Sequence, residues 1–126
     1  MNSIENLDSR LRVAAPDTQN IYVSTLNQSV TLDYSTSMSY SITLANSVTI
    51  NISNMIVGEL CEVLVELINA GSQTITWTNS PLWVTSTGVL SPVFTDTGIT
   101  LQTSGKDFAL FWSSDGGITL TGKILR

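Results

Sequence analysis

The chain contains no histidine. That removes the side chain that titrates nearest neutral pH, and with it Ser-His-Asp catalysis and most zinc sites. There is one cysteine, Cys61, so no intrachain disulfide can form and a cysteine-rich metal site is out of reach. Charged residues make up 12% of the 126 residues, about half the usual share. Only five are basic, Arg10, Arg12, Lys106, Lys123 and Arg126, and the net charge is −5. They form no tract interleaved with aromatics, so electrostatics argue against a nucleic-acid partner. No apolar run approaches the about 20 residues of a membrane-spanning helix, and no membrane partner is expected. The N-terminus, M-N-S-I-E-N-L-D-S-R-L-R, lacks a basic start followed by an apolar run and does not read as a signal peptide. The sequons at Asn27-Gln28-Ser29 and Asn51-Ile52-Ser53 then read as chance matches in an Asn/Ser-rich chain. Glycines are scattered through turns, with no phosphate-cradling loop among them. No catalytic residue, cofactor or metal is expected.

What fills the chain instead is Ser, Thr and Asn between aliphatic residues, a composition that suits strands and turns. The length is that of one domain able to bury a core. The densest apolar stretch is Gly58 to Trp77. Alternation puts Cys61, Val63, Val65 and Leu67 on one face of a strand. Ile75 and Trp77 share a face of a second strand, with Thr74 and Thr76 opposite. The spacing predicts an antiparallel hairpin joined at Asn69-Ala70-Gly71-Ser72, where Gly71 supplies a positive φ. A rival helical reading exists, because Leu60, Val63, Leu64, Leu67 and Ile68 also follow i, i+3, i+4 spacing. The valines and the β-rich Thr74-Ile75-Thr76-Trp77 that follows favour the strand.

Residues 1–20 form a segment of different character, read as an N-terminal arm. Ile4, Leu7 and Leu11 could make a short helical stripe with Asn2 as cap, and an extended arm is equally consistent. Pro16 ends any helix near Ala14. Residues 21–126 form the domain, and from Asn20 the apolar period is two. Ile21 and Val23, then Val30, Leu32 and Tyr34, then Met38, Tyr40, Ile42 and Leu44, then Val48, Ile50 and Ile52 each alternate with polar residues. Ala45-Asn46-Ser47 reads as a hairpin turn between the last two runs. Leu82-Trp83-Val84 and Ile99-Thr100-Leu101 are short strands, and residues 85–97 are a long loop. Phe108, Leu110 and Trp112 alternate with Ala109 and Phe111, and Trp112 and Trp77 are placed in the core. Asp115-Gly116-Gly117 is a turn, and Ile118, Leu120 and Ile124 close the chain. This pattern predicts an all-β fold, an antiparallel β-sandwich of jelly-roll type with an N-terminal arm. No sequence repeat recurs at a fixed period, which argues against a solenoid or propeller.

Three candidate chemistries fare poorly. Glu62 and Glu66 could be a glycosidase pair, but four residues of strand span about 13 Å, beyond the about 5–9.5 Å such pairs use. Asp115-Gly116-Gly117 supplies one carboxylate toward calcium, far short of a full shell. Of the three tryptophans only Trp83, after a turn, is a fair sugar platform, and core packing is the better reading.

The run from about Ser47 to Gly122 resembles a β-sandwich domain found in virion proteins of tailed bacteriophages, in head-decoration and tail-fibre chains. The resemblance rests on S-V-T-I-N-I-S-N, a glycine before a long strand, G-S-Q-T-I-T-W, a second tryptophan six residues on, a proline-containing loop, G-K-D-F-A-L-F-W and D-G-G. The aromatic usual after D-G-G in that family is replaced by Ile118-Thr119-Leu120. The resemblance implies a structural virion protein, first of all a capsid decoration (cement) protein on the surface of the phage head, made in the host cytoplasm. The alternatives are a tail-fibre or receptor-binding domain, or a carbohydrate-binding module. Its partners would be the major capsid protein and further copies of itself, a homotrimer by the same resemblance. Within the arm, Ile4, Leu7, Arg10, Leu11 and Arg12 are the expected capsid contacts. On the domain, Leu60, Leu64 and Ile68 lie opposite the core set of their strand and are the expected oligomer interface.

Overall fold

A computed structural model describes residues 17–126. The described chain is all-β. Ten strands run in order: β1 (Gln19–Val23), β2 (Gln28–Asp33), β3 (Ser39–Leu44), β4 (Val48–Ser53), β5 (Val57–Ile68), β6 (Ile75–Trp77), β7 (Leu82–Val84), β8 (Leu90–Ser91), β9 (Lys106–Asp115) and β10 (Thr121–Ile124). One turn of 3-10 helix, Phe94–Thr97, interrupts the loop before β9. The stretch 57–68 is strand, as its valines suggest, and not the rival helix. β1 opens at Gln19, inside the segment read as an arm. The expected capsid contacts Ile4, Leu7, Arg10, Leu11 and Arg12 lie outside the described residues.

Two sheets share the core. One has seven strands in the order β1-β3-β5-β9-β10-β7-β8, the other three in the order β2-β4-β6. Period-two alternation sorts the side chains as the sequence implies. Tyr40, Ile42 and Leu44 of β3 and Cys61, Val63, Val65 and Leu67 of β5 point inward from the larger sheet. Val30 and Leu32 of β2 and Val48, Ile50 and Ile52 of β4 point inward from the smaller one, and all are buried. They belong to one continuous core, joined by Val23, Trp83, Phe111, Leu120 and Ile124.

The pairing corrects the expectation of an antiparallel fold. Neighbours are parallel in β1–β3, β3–β5, β2–β4, β4–β6 and β7–β10, and antiparallel only in β5–β9, β9–β10 and β7–β8. Neither expected hairpin exists. β3 and β4 lie in different sheets, as do β5 and β6. From β1 to β6 the chain crosses from one sheet to the other at every connection and returns to lie parallel to the strand before last. This is the winding of a short solenoid, against the expectation drawn from the missing repeat. Gln19 lies beside Tyr40 and Tyr40 beside Val65, offsets of 21 and 25 residues. Gln28 lies beside Val48 and Val48 beside Ile75, offsets of 20 and 27.

The corners make this winding possible. Asn27, Asn54 and Asn69 take positive φ of 54°, 62° and 59° where the chain leaves one sheet for the other, a conformation asparagine tolerates better than most residues. Successive corners are bonded to each other: the Ala45 N–H donates to the Val23 carbonyl at 2.9 Å, and Asn46 Nδ2 to the Ser24 carbonyl at 2.6 Å. Gly71 is required by close approach, since a Cβ there would stand 2.1 Å from the Leu101 carbonyl oxygen. β6 is too short to cover all of β4, and the side chain of Asn79 completes the ladder. Its Oδ1 accepts from the Ile52 N–H at 2.8 Å and its Nδ2 donates to the Ile52 carbonyl at 3.0 Å, as a peptide unit would.

Candidate functional site, an apolar sheet face

The outer face of the seven-stranded sheet is built by β5 and β9. With Cys61, Val63, Val65 and Leu67 inward, parity turns Leu60, Glu62, Leu64, Glu66 and Ile68 outward. Leu60 is 66% exposed and Leu64 38%, while Ile68 is half-buried. The antiparallel register sets Glu62 beside Trp112, Leu64 beside Leu110 and Glu66 beside Phe108. Phe108 is 39% exposed, and Leu110 and Trp112 are half-buried. The three expected interface residues therefore belong to a larger apolar surface. β10 borders it with Thr121 beside Trp112 and Lys123 beside Leu110. β3 borders it on the other side with Ser39, Ser41 and Thr43, next to Leu64, Glu66 and Ile68. A shallow hollow of about 220 Å³ opens between Ser39, Ser41, Leu64, Glu66 and Phe108.

Phe108, Leu110 and Trp112 are the surface residues that the sequence pattern misassigns. β9 buries Asp107, Ala109, Phe111 and Ser113 and turns the other parity outward, so Trp112 is not core. Phe111 fills the interior instead, 4.6 Å from Trp77 and 5.5 Å from Trp83 between ring centroids. It fits because Gly122 faces it across β9 and β10; a Cβ there would lie 2.8 Å from the Phe111 ring. The signal for this parity was the pair of small residues Ala109 and Ser113, which suit a crowded interior as well as a large aromatic suits an outer face.

Charge on the outer face is partly arranged within the chain. Glu66 accepts from Ser41 Oγ at 2.8 Å and stands 3.7 Å from Lys106 Nζ. At the sheet's lower margin Asp107, almost wholly buried, accepts from the Gln102 N–H at 2.7 Å and pairs with Arg126. This ties the last residue of the chain to β9.

The remaining sequence candidates resolve into structure. The Asp115 carboxylate accepts from the Thr119 N–H and Ser113 Oγ, both at 2.8 Å, and closes the turn Asp115-Gly116-Gly117. Those bonds, the Thr119 backbone first, hold its carboxyl below the usual range. Asp33 is similar: Ser35 and then Asn54 donate to it and lower its pKa. Among the described residues no group of three or more His, Cys, Asp or Glu side chains could hold a metal ion. Trp83 is 3% exposed and packs edge-on to Phe94 at 4.8 Å, so it is core and not a sugar platform. Trp77 and Ile75 are half-buried and pack against the core from its open side. With Phe94 and Leu101 they line an apolar cleft of about 270 Å³ that no titratable side chain enters.

Comparison of the chain with protein-family models, with curated proteins and with solved structures finds no match in any of the three.

Proposed function

We propose that the protein is a structural component of a bacteriophage virion, a decoration protein that binds the assembled head and stabilises it. The two-layered β body, of the sandwich class, serves as a rigid platform for binding and not for catalysis. The observation that carries this reading is the outer face of the larger sheet. Leu60, Leu64 and Phe108 are exposed there, with Leu110 and Trp112 beside them on paired strands. Apolar surface of this extent on paired strands is expected where another protein covers it. The sequence resemblance over about Ser47 to Gly122 supplies the choice of a virion and of a homo-oligomer, a trimer in that family.

The mechanism would be linkage. A protein that binds the assembled shell and not its separated subunits stabilises the shell by its binding free energy, about 2.7 kcal/mol per site at a hundredfold excess over Kd. Residues 1–16, with Arg10 and Arg12, would add contacts to carboxylates of the major capsid protein. The test is co-sedimentation of the full chain with purified heads, run beside binding to whole host cells and to glycans. Saturable pelleting with heads supports decoration. Binding to cells or glycans with none to heads would assign the chain to the tail-fibre, receptor-binding or carbohydrate-binding alternatives.

A further inference from the structure

Apart from Lys106 on the central strand β9, the outer face of the seven-stranded sheet carries its charges on opposite flanks. β5 bears Glu62 and Glu66 on one flank, and β10 bears Lys123 on the other. Between them β9 presents Phe108, Leu110 and Trp112. The register fixes the levels along the strands. Lys123 is beside Leu110, and Leu110 is beside Leu64, so Lys123 stands level with Leu64. Glu62 and Glu66 stand two residues to either side of that level. One positive charge is thus two strands, about 10 Å, from a line that runs midway between two negative charges.

We propose that copies of this chain meet through this face, around a symmetry axis that runs parallel to β5 and β9. The β5 flank of one copy packs against the β10 flank of the next, and Lys123 of one enters between Glu62 and Glu66 of the other. The charge pattern selects the axis. Rotation about a line along the strands exchanges the flanks and keeps the level, which brings Lys123 to the level of Leu64. Rotation about a line in the face but across the strands keeps each flank on itself, and would set acid against acid and Lys123 against Lys123. Lys106 lies on the central strand 3.7 Å from Glu66 of its own chain, which partly offsets its charge where the axis brings the two copies of it level.

The driving force is apolar. Leu60, Leu64, Phe108, Leu110 and Trp112 lose water contact together, and the ion pairs choose the partner and the register. A second copy is the occupant because opposite charges on the two flanks of one apolar strip make the face complementary to itself, a relation no foreign surface is bound to satisfy. Two copies or three can close such a ring. The proposal deepens the self-association named above and does not depend on capsid binding.

The experiment is sedimentation velocity on the full chain across micromolar concentrations, with folding checked by far-UV circular dichroism. The wild-type chain should sediment as a closed dimer or trimer. Lys123→Glu should weaken association at least about tenfold, and Glu62→Lys should weaken it in the same direction. The double variant carrying both substitutions should recover part of what Lys123→Glu loses, because residues 62 and 123 are again opposite in sign while Glu66 stays negative. Leu64→Arg, at the centre of the face, should give a folded monomer. A wild-type monomer at tens of micromolar would overturn the proposal. So would an oligomer indifferent to Lys123→Glu and Leu64→Arg, or a folded double variant that associates no better than Lys123→Glu alone. Head binding is read in a separate assay, so failure here leaves the decoration reading standing or falling on its own.

Discussion

Phe111 and Trp112 are adjacent, and their substitution by alanine should have opposite consequences. Phe111 is fully buried, wedged between Trp77 and Trp83 and over the bare backbone of Gly122. Truncation leaves a cavity whose floor is two hydrogen-bonded strands, β9 and β10, and whose walls are two large rings. The paired strands are held by their ladder, and Trp83 is itself buried, so little is free to close the cavity. The loss should lie in the upper part of the about 3–5 kcal/mol range for large aromatic truncations. Trp112 faces outward and is half-buried, so its truncation should cost the isolated chain about 1 kcal/mol or less. Urea unfolding followed by circular dichroism separates the two. With a slope of about 1–3 kcal/mol per molar urea, Phe111→Ala should lower the midpoint by about 2 M, and Trp112→Ala by a fraction of that. Measurement at two protein concentrations isolates any share that Trp112 contributes through self-association, which alone would vary with concentration. A Trp112→Ala loss larger than that of Phe111→Ala at the lower concentration would mean that β9 presents the opposite face to the core, and the candidate surface would be wrong.

Three further outcomes follow from named contacts. Asn79→Ala removes the side-chain partners of both the Ile52 N–H and the Ile52 carbonyl and should cost about 1–3 kcal/mol, with faster hydrogen exchange at the Ile52 amide; unchanged exchange there would refute the ladder-completing role. Arg126→Ala leaves the buried Asp107 carboxylate without its cation and should cost about 2–3 kcal/mol, an expectation defeated if the thermal midpoint does not move. Asp33 and Asp115 have folded pKa values below their ordinary 3.8. Their contribution is therefore present above that value and is lost as pH falls through the lower folded values. The thermal midpoint should drop through this acid range, and Asp33→Asn with Asp115→Asn should flatten the drop; an equal slope in wild type and double variant would exclude these two groups as its source.

Alternation made most of the interior legible. Inward residues of β2, β3, β4 and β5 are those that period two selects, because a strand with one wet face must place its apolar residues at every second position. What alternation does not contain is the identity of the neighbour. Ala45-Asn46-Ser47 has the composition of a hairpin turn, yet it is a corner between sheets. Asn69-Ala70-Gly71-Ser72 likewise leads away from β5, and Gly71 serves the close approach of Leu101. The solenoid winding was hidden because its offsets of 20, 21, 25 and 27 residues share no period. The outer face was half legible. Leu60, Leu64 and Ile68 follow from the parity of β5, whose inner set is unambiguous. Phe108, Leu110 and Trp112 do not, since β9 runs apolar from Phe108 through Trp112 and gives both faces equal claim to the core.

The decoration reading is tested most directly by the temperature at which purified heads release their DNA. Heads lacking this protein would be heated with a DNA-binding dye, alone and with increasing amounts of the full chain, while bound protein is counted after sedimentation. The release temperature should rise with occupancy and level off when the sites are full. Full occupancy with no change in release temperature would contradict the claim that the protein stabilises the shell.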